Sequence, residues 1–187
     1  MRLWSMQPKE VYDIIMNTGE FFCNNEKCEN LPDFKEAYDW LVNQMDKRGI
    51  FHPEGITYPV WAWHSYDWKN EKPPIAEIFN GMHGEHVLME IELDDSDVLL
   101  SDYNDWHSVL NKWYNDNSTN KEEWEAEQEY FDNLPAKEKN KIMLESWERI
   151  FDMTLVNTEW RHKWRYVQAT FWKIKKENIK HVDFLSL

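Results

Sequence analysis

The chain has 187 residues, 12 of them Trp, 8 Tyr and 9 Phe, and a net charge of −14. That charge argues against a generic nucleic-acid binder, because phosphate contacts supply most of such a protein's affinity and need Lys and Arg. No stretch approaches the ~18 apolar residues of a membrane span, and Met1 to Glu10 has no apolar run after Arg2, so neither membrane insertion nor a signal peptide is expected.

The length predicts a single domain over residues 1–187. Large aromatic side chains carry much buried area, so many belong to the core. Twelve Trp exceed the needs of one core, so some are expected to line a cleft. Two cysteines, Cys23 and Cys28, are too few for a secreted disulfide scaffold and predict free thiols in a reducing cytoplasm. A zinc pair, or a nucleophile beside a base, are the alternatives.

In chain order, Arg2 to Gln7 reads as a first strand, and Pro8 suits the first turn of a helix that Gly19 stops. Pro32 opens a second helix with Phe34, Ala37, Tyr38, Leu41, Val42 and Met45 on its apolar face, ending at Gly49. Tyr58 to His64 reads as a strand, with Val60 and Ala62 on one face and Trp61 and Trp63 on the other. Ser65 to Gly84 is a long excursion with one helical turn at Ile75 to Phe79.

His86 to Leu93 and Val98 to Leu100 are expected strands, joined by a turn at Asp94 to Asp97. Asp102 is the expected N-cap of a helix with Trp106, Val109, Leu110 and Trp113 on its apolar face. Two more helices span about Lys121 to Asn133 and Pro135 to Phe151. Arg165 to Ile174 is the longest strand candidate, with Val167, Ala169, Phe171 and Lys173 on one face and Gln168, Thr170 and Trp172 on the other. Ile179 to Phe184 is a last short strand. Strands at both ends with helices between them predict an α+β fold of small mixed or antiparallel sheets, the terminal strands meeting in one sheet and helices packed around it.

The charge is uneven. Glu90 to Asp105 holds seven acids and no Lys or Arg, and Asp116 to Asp132 holds seven acids and only Lys121, whereas Arg161 to Lys180 holds seven Lys or Arg against Glu177. Two readings stay open: solvated faces that serve solubility, or a basic C-terminal strand region able to hold an anion. The phosphate-cradling Gly-rich loop, H-E-x-x-H, C-x-x-C and G-x-S-x-G are all absent. No third ligand is spaced to complete a metal site with His83 and His86, so none is assigned.

The opening Arg-Leu-Trp-Ser-Met-Gln-Pro, Asp33 to Tyr38, Tyr-Pro-Val-Trp-Ala-Trp and Val-Leu-Leu-Ser-Asp-Tyr-Asn-Asp-Trp-His together resemble an uncharacterised bacterial family, domain of unknown function 3841, from Met1 to about Phe184. That resemblance supplies no activity.

A more distant similarity is to ADP-ribosyltransferases, which begin with a strand carrying a polar NAD ligand and close with a strand reading Gln-Ala-Glu. Here the matching stretches are Leu3 to Gln7 and Gln168-Ala169-Thr170. The resemblance implies an NAD-binding cleft between two small sheets. Ser5 and Gln168 would bond the nicotinamide ribose or amide, Trp61, Trp63 or Trp172 would stack, and Arg2 or Arg165 would meet the pyrophosphate. Gln7 is a further cofactor-binding candidate on the first strand. Two departures stand out. Ser5 replaces the usual His or Arg, and Thr170 replaces the catalytic Glu and cannot bear its charge. Either Gln168 or a loop acid such as Asp102 takes over in a rearranged site, or activity is lost.

Two other functions compete. One is a non-catalytic interaction module whose acidic stretches face a basic protein partner, with Trp106 or Trp113 as anchor. The other is a metal-dependent hydrolase, which requires His64, His83, His86 or His107 to converge with acids.

Overall fold

A computed structural model describes residues 1–23, 31–78 and 81–186; Cys28 and Phe79 lie outside the described residues. Two compact units divide the chain, Met1–Leu100 with Gln168–Leu187, and Ser101–Val167.

In the first unit the chain runs β1 (Arg2–Pro8), α1 (Lys9–Thr18), β2 (Glu20–Phe22), α2 (Leu31–Lys47), β3 (Val60–Tyr66), α3 (Ile75–Ile78) and β4 (Glu85–Glu92). A 3-10 turn at Asp95–Asp97 leads to β5 (Leu99–Asp102), which carries the chain into the second unit. There follow α4 (Tyr103–Leu110), α5 (Lys121–Asn133), α6 (Ala136–Trp147) and a hairpin of β6 (Val156–Asn157) and β7 (His162–Lys163). The chain returns along β8 (Tyr166–Phe171), β9 (Lys173–Lys175) and β10 (Ile179–Ser186).

The fold is α+β. One six-stranded sheet has the order β10-β4-β1-β3-β8-β5, and two small sheets pair β2 with β9 and β6 with β7. The strands from the two chain ends do meet in this sheet, each bonded antiparallel to β4, which lies between them. β1 is in register with β4 from Arg2 opposite Glu92 to Pro8 opposite His86.

Strict alternation explains why this sheet has two apolar faces. Leu3 on β1, Val60 and Ala62 on β3, and Val87, Met89 and Ile91 on β4 share one face, where α1 lays Val11 and Ile15, spaced i and i+4. Trp4 and Leu88 point the other way and pack with Met6, Trp63, Ile75 and Leu185. The split expected for β3 holds at Val60, Ala62 and Trp63. A ten-residue helix is marginal alone, so α1 owes its stability to that packing. Gly19, at φ 93°, closes it in the left-handed conformation and donates its N–H to the Ile15 carbonyl.

The expected strand through Ile174 instead breaks at Trp172, which ends β8 and turns the chain into β9. Ile174, rather than Lys173, therefore joins Ala169 and Phe171 in the core.

In the second unit α4 packs against α6 and the 3-10 turn Glu148–Phe151 that follows it. Trp106, Val109, Trp147, Ile150 and Trp164 are buried. The Trp147 indole N–H donates to the Trp113 carbonyl at 2.7 Å, and that of Trp164 donates to the Asp152 carbonyl.

Candidate functional site

The first cleft, about 300 Å³, opens where β1 runs into α1. Its walls are Met6, Val11 and Ile14, with Phe21 of β2 and Val60 and Trp61 of β3. Gln7 and Glu10 are the polar side chains on it, and the Cys23 thiol completes the wall. The lining follows from local sequence: Pro8 forces the strand to stop and the helix to start, so Gln7 and Glu10 fall on opposite sides of that corner. Gln7 is held from below. Its Nε2 donates to the Ser5 hydroxyl at 3.0 Å, and that hydroxyl donates to the Trp61 carbonyl at 2.9 Å. Tyr38 on α2 meets the Trp61 ring edge-on, with centroids 5.8 Å apart.

A second cleft of about 280 Å³ includes Trp172, Lys173, Lys175, Asp94 and Asp97. The Trp172 ring is stacked at 3.9 Å on His52, so one of its faces is already covered. His52 is itself fixed, with Asp46 on Nδ1 and the Ile56 carbonyl on Nε2.

The cofactor and catalytic candidates named from the sequence are scattered over these features. Gln7 and Trp61 share the first cleft, and Trp172 lines the second. Ser5, Trp63, Gln168 and Thr170 line neither. β3 lies between β1 and β8, so Ser5 and Gln168 are not on neighbouring strands. Ser5 and Thr170 are wholly buried, and the Thr170 hydroxyl donates to the Leu99 carbonyl at 3.4 Å. Arg2 bonds the Asn70 carbonyl at 2.7 Å and lies over the Trp4 ring. Arg165 lies over the Tyr166 ring. Asp102 caps α4, accepting from the Asp105 N–H at 2.9 Å, as the sequence predicts.

The third cleft, about 440 Å³, belongs wholly to the second unit and was not foreseen. Asn104, Asp105, Asp116, Ser118, Arg161, His162 and Lys163 form its polar side, and Trp124 and Trp160 its aromatic side. Arg161 grips Asp105 with Nη2, at 2.9 and 2.8 Å to the two carboxylate oxygens, and donates through Nη1 to the Asp116 carbonyl at 2.8 Å. Burial pushes the Asp105 carboxyl up to about 6, even against the pull of the Arg161 guanidinium.

Of the two anchors expected on an acidic interaction face, Trp106 is core and Trp113 is exposed. α5, with six acids against Lys121, has no buried residue. Among the described residues no three His, Cys, Asp or Glu side chains are placed to hold a metal ion, and no helix is long and apolar enough to cross a membrane. His64 sits beside the Ser65 hydroxyl at 2.7 Å, and burial first, with the N-terminal ammonium second, pushes its pKa down.

No curated protein and no solved structure matches the chain. A family model does match it, over residues 2–180, and the chain therefore belongs to the family described as Domain of unknown function (DUF3841).

Proposed function

We propose that the protein binds NAD or a related nucleotide by seating a flat heteroaromatic ring, nicotinamide or base, in the cleft at the β1–α1 corner. The observation that carries this reading is that Gln7 and Trp61, two of the residues the ADP-ribosyltransferase resemblance assigns to the cofactor, line one mostly apolar cleft. A concave, largely apolar cleft with a few fixed polar groups is the usual form of a small-ligand site. Trp61 supplies an aromatic wall, and Gln7, anchored through Ser5, offers an amide that both donates and accepts, as a ring carboxamide requires.

The lining contains no Lys or Arg, so the cleft suits the uncharged end of a nucleotide and leaves its phosphates outside. Ser5 and Thr170 are sealed from solvent and engaged with carbonyls, so neither is a candidate to touch a bound ring. The acid on this cleft is Glu10, on the first turn of α1. A carboxylate there would favour a positive charge developing on an adjacent ribose, as a rearranged transferase site demands.

Calorimetric titration with NAD, nicotinamide and AMP tests the reading. NAD and one of its two ends should bind. Ile14→Glu, which places a charge on the cleft wall at an exposed helix position, should abolish binding and leave the fold intact. No heat with any of the three at millimolar concentration overturns the proposal.

A further inference from the structure

The third cleft carries an inference independent of the first. We propose that the second unit binds a neutral sugar, with the apolar face of a pyranose laid on Trp124 and Trp160 and its hydroxyls bonded by the groups around the Asp105–Arg161 pair.

The aromatic side is open. Trp124 is 39% and Trp160 46% exposed, an unusual cost for two of the largest apolar side chains on neighbouring surface. Their ring centroids lie 6.1 Å apart with planes tilted by 50°. A flat base sandwiched between two rings needs parallel planes about 7 Å apart, since each carbon contact is optimal near 3.5 Å. The pair therefore cannot clamp a base. It forms a bent platform, and the C–H-bearing face of a sugar ring, which is puckered rather than flat, suits such a surface.

The platform is held in place. Trp124 stands in the first turn of α5, where Asn120 accepts from the Glu123 N–H at 2.9 Å while the Glu123 carboxylate accepts from the Thr119 N–H at 2.8 Å. Trp160 lies in the turn joining β6 to β7, which the Thr158 hydroxyl ties to the Thr119 carbonyl at 2.9 Å. Both rings thus refer to one short stretch of backbone, so little ordering remains to be done on binding.

The polar side explains the neutrality. Both terminal nitrogens of Arg161 are engaged, with Asp105 and with the Asp116 carbonyl, and the Lys163 ammonium lies 3.2 Å from Asp152. Arg161 and Lys163 thus already face carboxylates, and His162 has Nδ1 on the Asn157 side-chain oxygen at 2.9 Å. The buried Arg161 Nε, without a partner among the described residues, is left as a single donor that a hydroxyl oxygen can take. A phosphate would have to displace those side-chain partners, and a cationic ligand would have to compete with Arg161 for Asp105. Hydroxyls ask for neither. They donate to the remaining carboxylate lone pairs and accept from Asn104. A second observation points to a ligand: Ser118 is one of the residues lining this cleft, 1% exposed, and its hydroxyl has no hydrogen-bond partner among the described residues. A buried hydroxyl left unpaired costs stability, and a ligand hydroxyl seated against it would relieve that cost.

The test uses the whole chain with cellotetraose, maltotetraose and tri-N-acetylchitotriose, and AMP as the base-bearing comparator. One saccharide should bind and shift the indole N–H signals of Trp124 and Trp160 in the unaltered protein. Trp124→Ala and Trp160→Ala should each weaken that saccharide about tenfold or more while far-UV circular dichroism and NAD binding stay unchanged. Absence of binding by all three saccharides at millimolar concentration overturns the proposal. So does saccharide binding that moves neither indole signal, or AMP binding lost in the Trp variants while no saccharide binds.

Discussion

Asp102 and Trp164 are joined across 62 residues of chain: the Asp102 carboxylate accepts the Trp164 backbone N–H at 2.5 Å, with its other oxygen on the Asp105 N–H. Trp164 stands at φ 62°, a left-handed conformation that a bulky residue rarely adopts. A wholly buried carboxylate thus caps a helix and holds a strained turn together. Losing the cap alone costs about 1 kcal/mol, and leaving the buried Trp164 N–H without its charged acceptor adds about 1–3 kcal/mol. Asp102→Ala should therefore lower the urea midpoint by the equivalent of about 2–4 kcal/mol at an unchanged slope, with Asp102→Asn, which keeps one acceptor, in between. An unaltered midpoint in Asp102→Ala would refute this structural role.

The Asp105 carboxyl gives a pH signature of opposite sign to that of an ordinary salt-bridged acid. Its folded value is pushed up from 3.8 to about 6, chiefly by burial. The folded state therefore holds the proton more tightly than the unfolded chain between those values, and stability falls as pH rises through that window. The shift corresponds to at most about 3 kcal/mol. The stability difference between the unaltered protein and Asp105→Asn should shrink progressively between about pH 3 and about pH 7, by up to that amount in all, and stay flat above. Arg161→Gln removes the strongest influence holding the value down, so the Asp105 midpoint followed by carboxyl NMR should move higher still. A midpoint near 4 in the unaltered protein would contradict the burial argument.

The features legible in the sequence are those that local chemistry dictates. Asp102 reads as an N-cap because a short carboxylate just before an apolar helical pattern has free N–H groups to accept from, and it is one. Gly19 and the alternation in β3 and β4 were readable on the same grounds. Sheet order was not, because which strand lies beside which depends on the whole core. The placing of β3 between β1 and β8 separates Ser5 from Gln168 although each strand was foreseen. The β6–β7 hairpin has two residues per strand, too few for any period to show. For the same reason the Trp124–Trp160 pair has no sequence signal: one sits in a helix, the other in a tight turn, and only tertiary hydrogen bonds bring them together. Gln7 and Trp61 were readable as residue types but not as neighbours.

The end of α4 contains a correctable strain. Trp113 N–H donates to the Ser108 carbonyl at 2.8 Å and Lys112 N–H to the Val109 carbonyl at 3.3 Å, the paired bonds of a Schellman ending. Lys112 occupies the left-handed position that this ending requires, at φ 57°. Glycine takes that conformation without the Cβ penalty. Lys112→Gly should raise stability by about 1 kcal/mol, read from the urea midpoint, while Lys112→Ala, which keeps the Cβ, should bring no gain.

Ser5 separates a structural role from a binding one. Its hydroxyl donates to the Trp61 carbonyl and accepts from the Gln7 amide, so it couples the two polar and aromatic elements of the first cleft without lining it. Ser5→Ala removes both bonds and should cost about 1 kcal/mol of stability. It also frees the Gln7 side chain, which must then be ordered when a ligand binds, at a cost of about 0.5–1.5 kcal/mol. NAD affinity should accordingly fall by roughly two- to tenfold, with Gln7→Ala falling further and the double variant no lower than Gln7→Ala alone. That non-additivity is the decisive readout, because it arises only if Ser5 acts through Gln7. If Ser5→Ala loses stability while NAD affinity stays the same, Ser5 supports the sheet alone and Gln7 is not the amide that holds the ring.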